Sequence, residues 1–508
     1  MEKVTDGNGR EARFYYDENQ CLKQFTNAMG ESTYYTYDEG HRILTVTDDN
    51  NNTYLTNTYK EYDSIIGASK KVTRVASQKD GLDNKTTFSY EEDEQSGDTV
   101  TTVTTRSGSQ KKTVTDAYGN ITCTTNEAGD KTLMTYDEDG NETSINNANG
   151  YDVVYRYDGN GNMTSIENSL MDDTKAETVM TYDSDGNMLT MENCSGESMS
   201  CTYDDRGLIQ SVTDQNGNTT SYKYNASGQV TEEKDSNQKT IQYSYDEKGD
   251  LISVRDKNGN VTEYTYNEMG LQEKVIVRDG EQTYTTQTFY DNLGRTDYVI
   301  DTEGGVTSYD YDCAGNITSR TDPGGAMTVY RYDKNYQMIK ETVYPSEEEE
   351  AKASSTTDYT YTKEGLLKTV TDGESGTVVE NTYDKTGNKT KEVEINKDGK
   401  KLSEVHYEHD QAGNVIKQTR INVNPEQGGP ESLVTQYCYY PNGKLDYVID
   451  SAGKKTSYSY DKNWRVQTVK SDTQPTITYK YAPAGRILSQ TAGSDSGEVV
   501  TECYTYDI

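Results

Sequence analysis

The chain has 508 residues, with 45 Tyr against 4 Phe and 1 Trp, 42 Gly against 7 Pro, only 3 His, and a formal charge of −36. So acidic a chain repels nucleic-acid phosphate, and its 50 Lys and Arg are scattered rather than gathered, which argues against nucleic-acid binding. No apolar run is long enough to insert into a membrane, MEKVTDGNGR lacks the apolar core of a signal peptide, and seven dispersed cysteines without a C-x-x-C pair suggest neither a disulfide scaffold nor a zinc site.

Few aliphatic residues with a large net charge ordinarily signal disorder, but tyrosines supply ring area to bury while keeping a wet or hydrogen-bonded hydroxyl. They also recur with a fixed period. Taken in chain order, a tyrosine stands at the same repeat position at Tyr16, Tyr37, Tyr62 and Tyr90, is replaced by Thr115, and returns at Tyr136, Tyr157 and Tyr182. From Tyr203 the spacing is 21 residues, through Tyr224, Tyr245 and Tyr266, with the consensus Y-D-x-x-G-(x5)-T-D-x-x-G-x-x-T-x-Y-x. The series continues at Tyr290, Tyr311, Tyr332, Tyr361 and Tyr383, is occupied by His409, and ends with Tyr439, Tyr460, Tyr481 and Tyr506. Wider spacings predict loop insertions near 341–357, which holds the acidic run Glu347–Glu350, and near 421–434, which holds NPEQGGPES.

Each period carries two turn signals about ten residues apart, such as Gly207 and Gly217, and Asn-Gly or Asp-Gly steps supply the positive φ of tight hairpin turns. Between them the residues alternate with period two and are rich in Thr, Val, Ile and Tyr. One repeat therefore predicts one β-hairpin. The predicted fold is all-β, tandem hairpins of about 21 residues forming a long antiparallel strip with essentially no helix. In Y-x-Y the two rings share a strand face, so Tyr222/Tyr224 and Tyr243/Tyr245 are expected to stack into a tyrosine ladder that replaces the aliphatic core.

With that spacing the chain resembles the YD-repeat, or RHS-repeat, family: bacterial Rhs polymorphic toxins, the C component of Tc toxins, wall-associated toxins and teneurins. The resemblance covers nearly the whole sequence, so residues 1–508 are expected to be one continuous array, cut mid-repeat at both ends. It implies a β-strip spiralling into a hollow shell, a C-terminal toxin domain of the parent chain as partner, and an extracellular or bacterial cell-surface location. The expected function is a non-catalytic scaffold enclosing a toxin or effector domain absent from this chain. The alternative is an extracellular adhesin binding carbohydrate or surface proteins. Some 22 anchors at about 10 Å of ribbon each give on the order of 210 Å, and one circuit of a cargo about 40 Å across needs perhaps 160 Å, so about one turn is expected.

Other candidate chemistry reduces to repeat geometry. His406 and His409 point to opposite faces of a strand. The calcium-like loops Asp137–Asn141, Asp183–Asn187 and Asp256–Asn260 sit at turns and lack a distal Glu, and Asp322-Pro323-Gly324 also falls at a turn. No catalytic residue, cofactor or metal site is expected.

Overall fold

A computed structural model describes all residues except 8, 65–70, 170–174, 347–351, 425, 427, 494–498 and 506–508. Most chain reversals rest on one device, seen at Asp137–Asn141. The Asp137 amide donates to the Asn141 carbonyl at 3.0 Å, and the Gly140 amide to the Asp137 carbonyl at 3.2 Å. The Asp137 carboxylate accepts the Asp139 and Asn141 amides through Oδ1 and the Asn141 side chain through Oδ2. This turn needs positive φ at only one residue, Gly140 at 86°. This is a type I turn followed by a left-handed residue, not the two-residue primed turn that Asn-Gly suggests. The aspartate decides it, because its side chain reaches the amides two and four residues on only in that geometry.

Between the turns run 44 strands, from β1 (Glu2–Thr5) to β44 (Val499–Cys503), in one sheet. Each pairs antiparallel with the next along the chain, as in β12 (Lys131–Tyr136), β13 (Glu142–Asn146), β14 (Asp152–Tyr157) and β15 (Met163–Ser169). No α-helix occurs among the described residues. Turns that follow a Y-D step lie on one edge of the strip, and turns that follow the second acidic or amide residue lie on the other. We call these the tyrosine edge and the far edge. The ladder across a tyrosine-edge turn carries a bulge just before the tyrosine, at Thr135/Tyr136 and Arg156/Tyr157. The ladder between β13 and β14 has three pairs, Ser144↔Val154 to Asn146↔Asp152, and stops short of the tyrosine edge.

The sheet has no conventional core. The buried apolar side chains include Val46, Met180, Cys201, Val393, Val405 and Tyr460, and no described side chain falls below 2 % exposure. Cohesion therefore comes from each strand on its neighbours, as in any quasi-one-dimensional array.

Contacts distant in sequence join the far edge of an early repeat to the tyrosine edge of a later one. Their separation stays between 253 and 294 residues along the chain. A strip folded back on itself would instead keep the sum of the residue numbers constant, so a constant difference means a spiral. The turn at 48–52 precedes β6 (Thr53–Asp63) and meets the turn at 333–337, which precedes β31 (Met338–Tyr344), 25 strands later. The turn at 193–197 precedes β18 (Ser198–Tyr203) and meets the turn at 461–465, which precedes β41 (Val466–Ser471), 23 strands later. About 24 strands at about 4.8 Å make a circuit of about 115 Å, so the 44 strands complete nearly two turns, not the single turn expected. A single turn would need the girth of a folded cargo, whereas the edge contacts set a tighter ring.

Candidate functional site

The anchor tyrosines act on the carbonyls where the short ladders stop. The Tyr157 hydroxyl donates to the Glu142 carbonyl at 2.8 Å, two residues beyond the last β13–β14 pair. The same bond, between 2.6 and 3.1 Å and two residues past the ladder, is made by Tyr37, Tyr136, Tyr182, Tyr203, Tyr224, Tyr245, Tyr266, Tyr290, Tyr311, Tyr332, Tyr383, Tyr439, Tyr460 and Tyr481. Each hydroxyl satisfies a carbonyl that no strand reaches. Tyr16 lies on the first hairpin, is 41 % exposed and shows no such bond. Thr115 sits at the matching bulge and directs its hydroxyl to the Thr99 carbonyl at 3.4 Å.

Two expectations change. The rings do not form a continuous ladder: among the described residues tyrosine rings of neighbouring hairpins meet only in isolated pairs, such as Tyr62 with Tyr90 and Tyr440 with Tyr460. The hydroxyl bond pulls each anchor sideways over the adjacent strand rather than along its own. Second, Tyr59 rather than Tyr62 holds the anchor position in its repeat. The bulge lies at Thr58/Tyr59, and the Tyr59 hydroxyl donates to the Ile43 carbonyl at 2.8 Å. Tyr62 stands further along an elongated hairpin, edge-on to Tyr90 at 5.0 Å. Tyr506 lies outside the described residues.

In three repeats an arginine ends the tyrosine-edge turn and locks it to the next anchor. Arg42, Arg295 and Arg465 each bind their own turn aspartate, Asp38, Asp291 and Asp461, and lie 5.0, 4.6 and 5.0 Å over the rings of Tyr59, Tyr311 and Tyr481.

The seam between layers is the other site, and it is polar. Tyr336 donates to Asp48 at 2.7 Å and sets its ring against Tyr54 at 5.6 Å. Asn335 donates to Asp80 at 2.8 Å, Asn52 to the Lys334 carbonyl at 2.9 Å, and Asn463 to Glu197 at 3.0 Å. Burial pushes the Asp80 carboxyl up, but hydrogen bonds from Asn84 and Asn335 and the charge of Arg106 outweigh it and hold the group below its usual range. Burial, then Asp48, raises the Tyr336 phenol. Gly81 permits the closest approach: a Cβ there would lie 2.2 Å from the Lys334 carbonyl oxygen in the other layer.

These seam residues escape a reading along the chain, because their partners lie one whole circuit away. Two local signals mark them. Tyr336 and Trp464, at φ 60° and 57°, occupy the left-handed turn position that glycine usually holds. In Asp80-Gly81-Leu82-Asp83-Asn84 the glycine is displaced and Asp83 takes that position at φ 62°.

The other sequence candidates fall into turns and ion pairs. His406 lies 2.8 Å from Glu404 and is exposed, while His409 sits at the Glu408/His409 bulge in an anchor position. Asp183 and Asp256, like Asp137, spend their carboxylate oxygens on their own turn. Asp322 accepts the Gly324 and Ala326 amides at 2.9 Å, as a turn aspartate does. No group of three or more His, Cys, Asp or Glu suited to a metal ion occurs among the described residues, and no helix among them is long and apolar enough to cross a membrane.

A spiralling strip of tyrosine-anchored hairpins is the architecture of a YD shell. The teneurin YD-shell family model matches residues 7–299, and an RHS-repeat model matches residues 311–348. The chain belongs to the teneurin YD-shell family. Among solved structures it is similar to the crystal structure of TcdB2-TccC3, with TM-score 0.52 and 12% identity over 99% of this chain and 37% of that one. It is also similar to the Photorhabdus luminescens Tc holotoxin pore carrying the mutation TccC3-D651A, with TM-score 0.57 and 11% identity over 99% of this chain and 36% of that one. The chain thus spans just over a third of the length of those chains. At this identity the likeness is one of fold. No curated protein matches.

Proposed function

We propose that residues 1–508 are one continuous array forming the wall of a hollow shell in a larger secreted or cell-surface protein, and that this wall encloses a toxin or effector segment without catalysing a reaction itself. The carrying observation is the constant-offset seam, which winds the strip into stacked layers around a common axis. The turn aspartates and anchor tyrosines, the most repeated polar groups, are engaged in holding the wall, which favours a scaffold over an enzyme. The family suggests the extracellular setting.

The ring sets what fits inside. A circuit of about 115 Å has a backbone diameter of about 37 Å, and inward side chains leave a bore of about 27 Å. A folded domain of about 150 residues is about 40 Å across. The bore therefore suits an extended or unfolded segment, or a domain of some 50 residues, and confinement would keep a larger effector unfolded and inactive. The test is limited proteolysis of the protein expressed from its complete gene. Sequence outside 1–508 is expected to resist digestion until the wall unfolds. Digestion as fast as for the same segment expressed alone, or a gene with no further segment, refutes the reading.

A further inference from the structure

We propose that the seam is a separable joint: the two layers part along it while the strip stays folded. Within the strip every strand is tied to the next by backbone hydrogen bonds. Across the seam no strand pairing occurs among the described residues; turns meet turns through side chains, as in Asn335 to Asp80 and Asn463 to Glu197. These contacts are largely polar and most of their groups are half-buried at the strip edges, with Asp48 at 6 % exposure the buried one, so water replaces them when the layers part. Ladder bonds inside the strip have no such substitute without unfolding.

One further observation points the same way. The spiral also makes opening easy to distribute. A gap of about 10 Å, spread over about 24 strand-to-strand steps, asks roughly 0.4 Å of each, well within the spread of twist that sheets adopt. In an enclosing wall such a joint is a sideways slit along the shell; that consequence rests on the proposed function, while the joint itself does not.

The protein carries its own reporters. Cys313 lies at the seam, where Asn50 Nδ2 approaches its sulfur at 3.1 Å, and Cys194 donates across it to the Lys462 carbonyl at 3.1 Å. Cys201 is buried within the strip at 7 % exposure. The single tryptophan, Trp464, adjoins Asn463 on the seam turn. The experiment is timed labelling of the folded chain with N-ethylmaleimide, read by peptide mass spectrometry, beside urea titrations followed by Trp464 fluorescence and far-ultraviolet circular dichroism. Cys194 and Cys313 are expected to react at least about tenfold faster than Cys201, and fluorescence to shift at lower urea than the loss of β signal. Gly81→Ala, whose three nearest contacts would all be with Lys334 in the other layer, is expected to speed Cys313 labelling about tenfold and leave Cys201 unchanged. Equal rates at all three thiols, coincident fluorescence and dichroism transitions, or a Gly81→Ala chain with unchanged Cys313 labelling overturns the joint. The wild-type measurements decide even where Gly81→Ala does not fold.

Discussion

Removing one hydroxyl tests how the wall is built. In Tyr245→Phe the ring stays and only the 2.8 Å bond to the Val230 carbonyl is lost. That carbonyl lies two residues beyond the Glu232↔Gln242 pair, so no strand replaces the donor. Val230 and Tyr245 are half-buried, so water reaches the carbonyl in part, and the net cost is about 1 kcal/mol rather than the full penalty of a sealed orphan. The array responds locally, and 1 kcal/mol shifts the melting temperature of so long a chain by only about 1 °C. Native-state hydrogen exchange of peptides spanning 230–245 is the sharper assay, with exchange about fivefold faster where opening is local. Tyr245→Ala also removes the ring and costs about 2–3 kcal/mol, the usual aromatic truncation reduced for half burial. Tyr16→Phe is the control: its hydroxyl makes no such bond and its ring is 41 % exposed, so the change stays within about 0.5 kcal/mol. Unchanged exchange in Tyr245→Phe, or an equal effect at Tyr16, refutes the role assigned to the hydroxyl.

Gln238 occupies the left-handed turn position at φ 66°, and Gln238→Gly is expected to stabilise its turn by about 1 kcal/mol, seen as slower local exchange; Tyr336→Gly, which also forfeits the Asp48 bond, is expected to show no such gain. Burial raises the phenols of Tyr136, Tyr157, Tyr203, Tyr224 and Tyr266. Their contribution is complete below the unfolded tyrosine value near 10 and is lost as pH rises through the folded values, so tyrosinate absorbance and loss of β signal should appear together above about pH 10. Hydrogen bonds from Lys401, His406 and Lys391 bring buried Glu404 down to about 2. Its contribution is present above the unfolded value near 4.5 and lost as pH falls toward about 2, so Glu404→Gln should cost about 1–2 kcal/mol at neutral pH and nothing near pH 2, by urea denaturation at each pH. Millimolar calcium should leave the melting temperature unchanged, because the Asp137, Asp183 and Asp256 carboxylates are held by their own turns; a rise of several degrees would reverse that reading.

Strand, turn and repeat were legible in the sequence because their causes are local. Alternation sets the faces of a strand, and Asp-x-x-Gly sets a turn within five residues. The recurrence of Tyr245 and Tyr266 marked one hairpin after another. Spacing fails where a hairpin lengthens and points to Tyr62 instead of Tyr59, because only the strand register reveals the bulge that defines an anchor. What each anchor does also lay outside the sequence. A ring two residues from another could stack on it or reach sideways to a carbonyl, and the ladder lengths decided for the carbonyl. The winding of the strip was least legible of all. It depends on Gly81 meeting Lys334 and Tyr336 meeting Asp48, pairs a full circuit apart that no periodicity of 21 residues encodes. The hairpin and its repetition follow from short-range geometry and are written in each 21-residue segment. The girth of the ring, the number of layers and the seam between them emerge only on winding, since small twists summed over about 24 strands settle which turns come into contact.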